Sequence, residues 1–332
     1  MTATLRAVHT TWLVTGGAGF IGSHLVERVL ARGDGCVVLD DLSTGRYENL
    51  DAVMSHPLME FVDGSVTDRP LVASLVARAD RVVHLAAAVG VRLIVDEPVR
   101  TLETNIHGTE VILKECARCN TPVFVASSSE VYGKGSRCPF REDDDVLLGP
   151  TTKSRWSYAA SKMVDEFLAL SYHRERGLPA RVGRFFNTVG PRQVGQYGMV
   201  LPRFIGQAFD GGPITVYGDG SQSRSFAHVA DTVESVLRLM DTDATSGQVF
   251  NIGGTEEVTM TALAERVRAM VNPAVEISHL PYEEAYGGGF EDLGRRVPDT
   301  SRLFNATGFA PSRTLEEILR DTVAHLRSER TE

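Results

Sequence analysis

The sequence predicts an α/β fold in which a doubly wound parallel sheet is followed by a smaller, interleaved C-terminal region. Short, continuously apolar segments alternate with longer amphipathic ones up to residue 185, and a glycine-rich turn joins the first of each. Beyond residue 185, glycine and proline become frequent and the alternation ends. Strands that are apolar throughout need cover on both faces, which is typical of a parallel sheet between helices.

The same alternation predicts the individual elements. The segments expected as strands are residues 11–14, 36–39, 60–62, 81–85, 122–126 and 180–185. The segments expected as helices are residues 19–32, 70–78, 98–118 and 154–176. A late apolar segment, residues 249–252, is expected to return to the main sheet. We therefore predict a first domain over residues 1–185 and about 227–255, and a smaller second domain over residues 186–226 and 256–330.

Composition narrows the class of protein. The 332 residues carry a formal net charge of −9, which argues against bulk binding to nucleic acid or to an anionic membrane. No apolar run is long enough to span a bilayer, and we find no signal-peptide pattern, so a cytoplasmic location is expected. Cys116 and Cys119 have zinc or redox spacing, but no second pair follows. We interpret them as reduced thiols and expect no metal site.

The glycine-rich turn indicates a dinucleotide. Gly16, Gly19 and Gly22, with Phe20 and Ile21 between them, lie between the first strand and the first helix. Glycines there permit a tight turn and close approach to a pyrophosphate, which the amides of the helix N-terminus can bind. Asp40 ends the second strand about twenty residues later, where an acid can bind ribose hydroxyls and would repel a 2′-phosphate. NAD is therefore expected rather than NADP.

Further cofactor contacts are expected where the next two strands end. Asp63 and Gly64 follow the third strand and suit the adenine edge. Leu85, Ala86 and Ala87 follow the fourth, where small side chains would let the backbone pass close to the cofactor. These positions form the usual crevice of a Rossmann sheet.

Tyr158 and Lys162 are the candidate catalytic pair. Four residues apart on a predicted helix, they share one face. An ammonium beside a phenol favours the phenolate and would lower the tyrosine pKa, so Tyr158 could act as a base near neutral pH.

Several motifs in order resemble one family. The glycine turn, residues 40–45, 84–87 and 127–133, the Tyr158…Lys162 pair and Phe186-Asn187 are similar to the extended short-chain dehydrogenase/reductases, and more narrowly to nucleotide-sugar epimerases, decarboxylases and dehydratases. The resemblance implies NAD, with Ser43, Thr44 and Gly45 among its contacts, and a UDP-sugar substrate. It implies that Tyr158 is the acid/base, Lys162 holds the nicotinamide ribose, and Ser128 binds the reacting hydroxyl.

The resemblance also bears on which reaction is performed. Sugar-nucleotide 4,6-dehydratases carry an acid where this chain has Ser129, which argues against dehydration. Residues 152–157 lack the run usual in UDP-glucuronate decarboxylases, and residues 187–193 are close to those of UDP-glucuronate 4-epimerases. In that comparison Arg192 would face the C5 substituent, where an arginine fork suits a carboxylate. The expected activity is conversion of UDP-glucuronate to UDP-galacturonate.

Such an epimerase must prevent its 4-keto intermediate from losing CO₂. Oxidation at C4 gives a β-keto acid, which loses CO₂ when its carboxylate bond aligns with the ketone π-system. We expect Arg192, helped by Ser127 or Thr188, to hold the carboxylate out of that alignment. The alternatives are a UDP-glucose or UDP-N-acetylglucosamine 4-epimerase, a UDP-glucuronate decarboxylase, and, more remotely, a non-catalytic nucleotide-binding protein.

The remaining expectations concern the nucleotide and the assembly. Asn187, Arg224 and Arg295 (or its neighbour Arg296) are expected at the diphosphate or ribose, and the sugar is expected near Glu130. The uracil is expected beside Thr215 and Tyr217, with Val200 and Phe204 packed on it. The resemblance and the two long helices suggest a homodimer.

Overall fold

The computed structural model describes residues 9–90, 97–195, 199–281, 284 and 294–331. Their strands are β1 Thr11–Thr15, β2 Gly35–Asp40, β3 Met59–Asp63, β4 Arg81–His84, β5 Val123–Ser128, β6 Ala180–Phe185, β7 Thr188–Val189, β8 Ile214–Tyr217, β9 Ser223–Ser225, β10 Ala227–His228, β11 Gln248–Ile252, β12 Glu257–Thr259, β13 Ile277–Leu280 and β14 Arg295–Arg296. Among these residues, no helix has both the length and the apolar character that a membrane crossing needs.

The helices are α1 Phe20–Ala31, α2 Arg69–Val76, α3 Pro98–Leu102, α4 Gly108–Cys119, α5 Arg155–Arg176, α6 Val200–Phe209, α7 Val229–Asp241, α8 Met260–Val271, α9 Ser301–Thr307 and α10 Leu315–Ser328. The predicted helix 98–118 is present but is not α-helical throughout, because a π-helical turn at Glu103–His107 joins α3 to α4. π-helical turns often occur at functional sites, because the extra residue re-aims a side chain.

A seven-stranded parallel sheet forms the centre of the molecule, in the order β11-β6-β5-β4-β1-β2-β3. This confirms the predicted doubly wound α/β fold. The chain moves outward from β1 in one direction, then crosses to β4 and continues in the other. Ligands of such sheets bind outside the carboxyl ends of the strands, where the order reverses.

Alternating strand residues build the two layers of the core. On one face, Trp12 and Val14 of β1 pack in a cluster with residues of α1 and α7. On the other face, Leu13 packs in a second cluster with residues of α2 and α4. Because successive side chains of a strand point to opposite faces, a strand covered on both sides must be apolar throughout.

A third core lies beyond the main sheet. It is built by α6, α8 and α10 together with β8, and Phe204 lies within it with 1% of its surface exposed. Two small sheets accompany it, one pairing β8 with β13 and the other in the order β12-β9-β14. Between the segments that form these sheets, the chain returns to the main sheet, where β11 pairs with β6 as predicted.

Candidate active site

A cavity of about 340 Å³ opens at the carboxyl ends of the central strands. Its lining runs from the glycine turn to the catalytic pair and includes these predicted cofactor residues: Gly16, Gly19, Phe20, Ile21, Gly22, Asp40, Ser43, Thr44, Gly64, Leu85, Ala86, Ala87, Tyr158 and Lys162. Ser127, Ser128, Asn187 and Thr188 also line it. The structure therefore places the expected cofactor site and the candidate catalytic pair in one space.

The glycine turn needs its glycines for close packing. Gly16 has φ +70°, and a Cβ there would lie 2.7 Å from the amide nitrogen of Ala86. A Cβ on Gly22 would lie 2.1 Å from the carbonyl oxygen of Gly16. The turn can therefore pass under a ligand without side chains in the way, and it feeds directly into the N-terminus of α1.

Asp40 supports that turn from the end of β2. Its carboxylate accepts hydrogen bonds from the amides of Ala18 and Leu42, both at 2.9 Å. Burial raises the Asp40 pKa, and the two amide hydrogen bonds act in the opposite direction. Another predicted contact, Gly45, packs close to Asp40. A Cβ added at Gly45 would lie 2.9 Å from the carboxylate. Asp63 is exposed at the end of β3 and does not line the cavity.

The π-helical turn fixes the cavity wall at Ala86–Ala88. Its Asn105 side chain accepts from the Ala88 amide at 2.8 Å and donates to the Ala88 carbonyl at 3.3 Å. The Asn105 side-chain amide also donates to the Ser161 hydroxyl of α5 at 3.2 Å. Asn105 therefore ties the wall to the catalytic helix, a role that no sequence motif indicated.

Tyr158 lies beside Ser128 at the sheet end of α5. The Ser128 hydroxyl favours the ionised form of the phenol and so acts to lower the Tyr158 pKa. Nevertheless the Tyr158 pKa is raised, first because the ring is buried and then because Glu130 is nearby. This differs from the expectation that Lys162 lowers it. The Lys162 ammonium is paired with Asp165 at 3.2 Å, which offsets its charge.

A charged cluster lies near enough to Tyr158 for its charges to act on the phenol. Glu130 forms ion pairs with Arg296 and, at 3.4 Å, with Arg155. Arg296 also donates to the Asn187 side chain at 3.0 Å, and Asn187 lines the cavity. Arg296 is close enough for its charge to lower the Tyr158 pKa. Its Nε is buried and has no hydrogen-bond partner among the residues that the structure describes.

Arg192 lies elsewhere, which corrects the expectation that it grips a sugar carboxylate. Its guanidinium pairs with Glu27 and donates to Ser23 at 3.2 Å, both on α1. The residue has φ +70°, a left-handed backbone conformation that sends the side chain towards α1 rather than towards Tyr158. Arg192 therefore ties the loop that follows Asn187 to the dinucleotide helix.

Arg295 also faces away from the site. Its guanidinium makes a bidentate pair with Glu257, at 2.6 and 2.7 Å, and is 53% exposed. Successive residues of a strand point to opposite sides, so Arg296 faces Glu130 when Arg295 faces solvent. Of the two, Arg296 is thus the one near the cavity, which it reaches through Asn187 without lining it. If β14 were recognised as a strand from the sequence, this alternation would show that only one of the two arginines can face the site.

Other predicted substrate residues have internal partners. Ser127 donates to Glu166 at 2.5 Å, and Glu166 also pairs with Arg184 at 2.7 Å. Ser129 is buried with 2% of its surface exposed and does not line the cavity. The Thr188 hydroxyl is hydrogen-bonded to that of Thr232 at 3.1 Å.

The residues expected at the uracil lie around the third core. Phe204 is a core residue, so its expected contact with a base is wrong for this conformation. Val200 is partly buried against the same core. The Arg203 guanidinium lies 4.0 Å from the Tyr217 ring centroid and donates to the Thr215 carbonyl at 2.9 Å. Arg224 is buried on β9, beside Arg296 of β14 in the sheet register.

The described residues contain no group of three or more histidine, cysteine or acidic side chains placed to hold a metal ion. Cys116 is buried and Cys119 exposed, and both are free thiols.

Comparison with known proteins places this geometry in a family. Residues 12–253 match the model of the NAD dependent epimerase/dehydratase family. The chain belongs to that family. The cavity fits its cofactor, because the glycine turn, Asp40 and the candidate catalytic pair all line it.

Two relatives with named reactions can be compared with this chain. The chain is 39% identical over 316 residues to a UDP-N-acetyl-alpha-D-glucosaminuronate decarboxylase of Bacillus cytotoxicus, covering 95% of this chain and 97% of that one. It is 36% identical over 316 residues to UDP-glucuronic acid decarboxylase 1 of Arabidopsis thaliana, covering 95% and 69%. These relatives are decarboxylases, whereas residues 152–157 and 187–193 had favoured a 4-epimerase. Residues 155 and 156 instead serve local packing, with Arg155 stacked 5.4 Å from the centroid of the buried Trp156 ring.

Solved structures share the fold across several reactions. A UDP-N-acetylglucosamine 4-epimerase from Methanobrevibacter ruminantium superimposes with a TM-score of 0.87 at 30% identity, covering 97% of this chain and 100% of that one. A dTDP-glucose 4,6-dehydratase from Streptomyces venezuelae, solved with NAD bound, gives 0.87 at 29% identity, covering 97% and 98%. The fold is therefore shared by an epimerase and a dehydratase, and the dehydratase was solved with NAD bound.

Proposed function

We propose that the chain is an NAD-dependent decarboxylase of a UDP-linked uronic acid, either UDP-glucuronate or UDP-N-acetylglucosaminuronate. The observation that carries the proposal is the Glu130–Arg296 pair beside Tyr158 and Asn187. A uronic acid brings a carboxylate to C5, next to the C4 hydroxyl on which Tyr158 acts. Arg296 presents a buried Nε–H with no described partner to meet that charge. The decarboxylase relatives support the same assignment.

The catalytic residues act on the C4 hydroxyl. Tyr158 accepts its proton while Ser128 hydrogen-bonds to the oxygen, and Lys162 holds the nicotinamide ribose. NAD, when bound, supplies the transient hydride acceptor for C4. Because Arg192 is held on α1, it does not restrain the substrate carboxylate. Arg296 instead binds the carboxylate out of the sugar plane, where its bond to C5 aligns with the ketone and CO₂ leaves. C5 then takes a proton from solvent, the hydride removed from C4 is returned to it and reduces the ketone, and Tyr158 gives its proton back to the C4 oxygen.

The nucleotide half of the substrate is assigned to residues 186–226 and 256–330. Asn187 and Arg224 bind the diphosphate, and the uracil lies against Val200, Thr215 and Tyr217. Residues 1–185 and about 227–255 hold NAD.

A 4-epimerase acting on the same uronic acid is the second candidate. It is favoured by the solved epimerase of the same fold and by the sequence around Asn187. The two candidates share every step up to the 4-keto acid and differ only in the fate of its carboxylate.

Product analysis tests the proposal. The purified protein is incubated with NAD and, in separate reactions, UDP-glucuronate and UDP-N-acetylglucosaminuronate. We expect CO₂ and the corresponding UDP-pentose from one of them, with UDP-glucose as the control that has no carboxylate to lose. Formation of the C4 epimer without CO₂ would assign the epimerase. No change in either uronate, and no NADH absorbance with either, would mean a non-catalytic nucleotide-binding protein.

A further inference from the structure

The loop over residues 190–194, which follows β7, forms part of the cavity wall. Gln193 and Val194 of this loop line the cavity, as do Phe20 and Ile21 of the first turn of α1. The amides of a helix N-terminus that follows a glycine turn are a binding site for a pyrophosphate. The loop and the expected pyrophosphate site therefore share one cavity.

Arg192 anchors this loop to α1. Its guanidinium forms an ion pair with Glu27 and donates to the Ser23 hydroxyl at 3.2 Å. The Arg192 and Glu27 side chains are 20% and 31% exposed, so salt screens this pair less than an ion pair at the open surface. Ser23 directly follows Gly22, which lines the cavity. The anchor is therefore attached to the helix just behind the turn that would bind the pyrophosphate.

His24 provides a second anchor. Its Nε2 lies 3.0 Å from the Pro191 carbonyl oxygen. A carbonyl oxygen can only accept, so Nε2 carries the proton and donates it. The His24 ring also packs edge-on against the Phe20 ring, with the centroids 6.1 Å apart. Because Phe20 lines the cavity, the second anchor is one side chain away from it.

The other side of the loop is held against β7 and α7. Gly190 has φ +152°, and a Cβ there would lie 2.7 Å from the Val229 side chain at the start of α7. The Gln193 side chain donates to the Thr188 carbonyl of β7 at 2.9 Å. These contacts fix the loop on the β7 side, and the two anchors fix it on the α1 side.

We propose that Arg192 and His24 are positioning residues that hold the loop against α1 and thereby slow the release of NAD. On this side of the cavity the dinucleotide can leave only after the loop has separated from α1. Slow release matters because the hydride removed from C4 has to return to the same sugar. The inference rests on the proposed function only in that the hydride is returned, which a decarboxylase and a 4-epimerase have in common.

The test is the rate at which bound NADH dissociates, with no sugar nucleotide present. The protein is loaded with NADH and mixed with excess NAD, and the loss of bound-NADH fluorescence is followed by stopped flow. We expect NADH to leave Arg192→Gln about tenfold faster than the wild type, because the variant loses a charged hydrogen bond between the loop and α1. His24→Phe keeps a ring but loses the donor, and its rate should rise about fivefold. Because no turnover is needed, the outcome is independent of which reaction the enzyme performs.

Arg28→Gln is the matched control. Arg28 is another arginine of α1 that pairs with a glutamate, at 3.2 Å, but this glutamate is Glu234 of α7 and lies outside the loop. The control should release NADH at the wild-type rate, even where urea unfolding shows that it and Arg192→Gln lose similar stability. A purely structural role of Arg192 would make the two variants behave alike.

A further variant tests the ion pair from its other side. Glu27→Gln removes the partner of Arg192 and keeps the arginine, so NADH should again leave faster, and this result does not depend on whether Arg192→Gln folds. The double variant Arg192→Gln/Glu27→Gln should be no faster than Arg192→Gln alone, because one interaction can be lost only once. A wild-type rate in Arg192→Gln, Glu27→Gln or His24→Phe overturns the proposal. So does an equal acceleration in Arg28→Gln, or a double variant in which the two single effects multiply.

Discussion

At the scale of single residues, the two adjacent arginines of β14 have different partners because successive side chains of a strand point to opposite sides. Arg296 pairs with Glu130 at the site, and Arg295 pairs with Glu257 at the surface. The two have the same charge and the same backbone element, and only the side of the strand differs. This makes one arginine the natural control for the other.

We expect Arg296→Gln to lower kcat/KM for the UDP-uronate about 100-fold, because it removes a charged hydrogen bond to the substrate carboxylate worth about 2–3 kcal/mol. Arg295→Gln should retain nearly full activity. Initial rates of CO₂ release from both variants measure the difference. Equal losses in the two variants would show that Arg296 has no special place at the carboxylate.

Much of this site can be predicted from the sequence. The residues that cannot be predicted depend on local backbone conformation or on packing between elements. The spacing of Tyr158 and Lys162 predicts that they share one helix face, and the family resemblance supplies their expected roles and that of Ser128. Arg192 is not predictable, because its positive φ reverses the direction that the spacing suggests. Asp165 is not predictable either, because an i, i+3 acid beside a lysine is usually an exposed helix pair. Only the packing of α4, β5 and β6 against α5 makes it a buried one.

At the scale of elements, the structure extends the predictions at the edge where the site lies. The strand expected to end at Ala126 continues through Ser128, because the ladder with β6 continues to the pair Ser128–Phe185. The π-helical turn is likewise absent from the periodic pattern, which predicts an uninterrupted helix. Apolar periodicity determines where the core lies, but polar pairing at strand ends depends on the neighbouring element.

His84 of β4 makes the folding stability depend on pH. His84 is neutral when folded, with its pKa lowered to about 3 from an ordinary value of 6.5. The unfolded chain therefore binds one more proton between these values, and folding stability is lost as pH falls from 6.5 towards 3. Between about pH 6.5 and about pH 5 we expect a loss of about 2 kcal/mol from this residue.

Urea unfolding over that pH range measures the effect. His84→Gln should show a flatter pH dependence than the wild type, whatever its stability near neutral pH. His9→Gln, at an exposed histidine, should keep the wild-type slope. A slope unaltered in His84→Gln would mean that the ring is protonated in the folded protein.

At the scale of the whole molecule, the two long helices carry apolar side chains on the outside. Val99 of α3 is 66% exposed and Phe167 of α5 is 63% exposed. The two helices are neighbours in the fold. We expect a second copy of the chain to cover these side chains, as the family resemblance and the two long helices suggested.

Phe167→Glu should therefore convert a dimer into a monomer, since burying a carboxylate against an apolar partner is strongly unfavourable. Phe304→Glu, at an equally apolar and 53% exposed position on α9, is the control and should stay dimeric. Sedimentation velocity at matched concentrations distinguishes the two. A monomeric wild type, or dissociation of the Phe304 variant instead, contradicts the expected interface.

Asp40 has a consequence for coenzyme engineering. Changing a dehydrogenase from NAD to its phosphorylated form begins by removing the acid at the end of β2, because that acid repels the extra phosphate. Here the same carboxylate is the acceptor for Ala18 in the glycine turn and for Leu42 after the strand. Its removal would leave two amides without an acceptor and loosen the turn itself. A redesigned variant would need a neutral acceptor at position 40 before it could gain from a new arginine nearby.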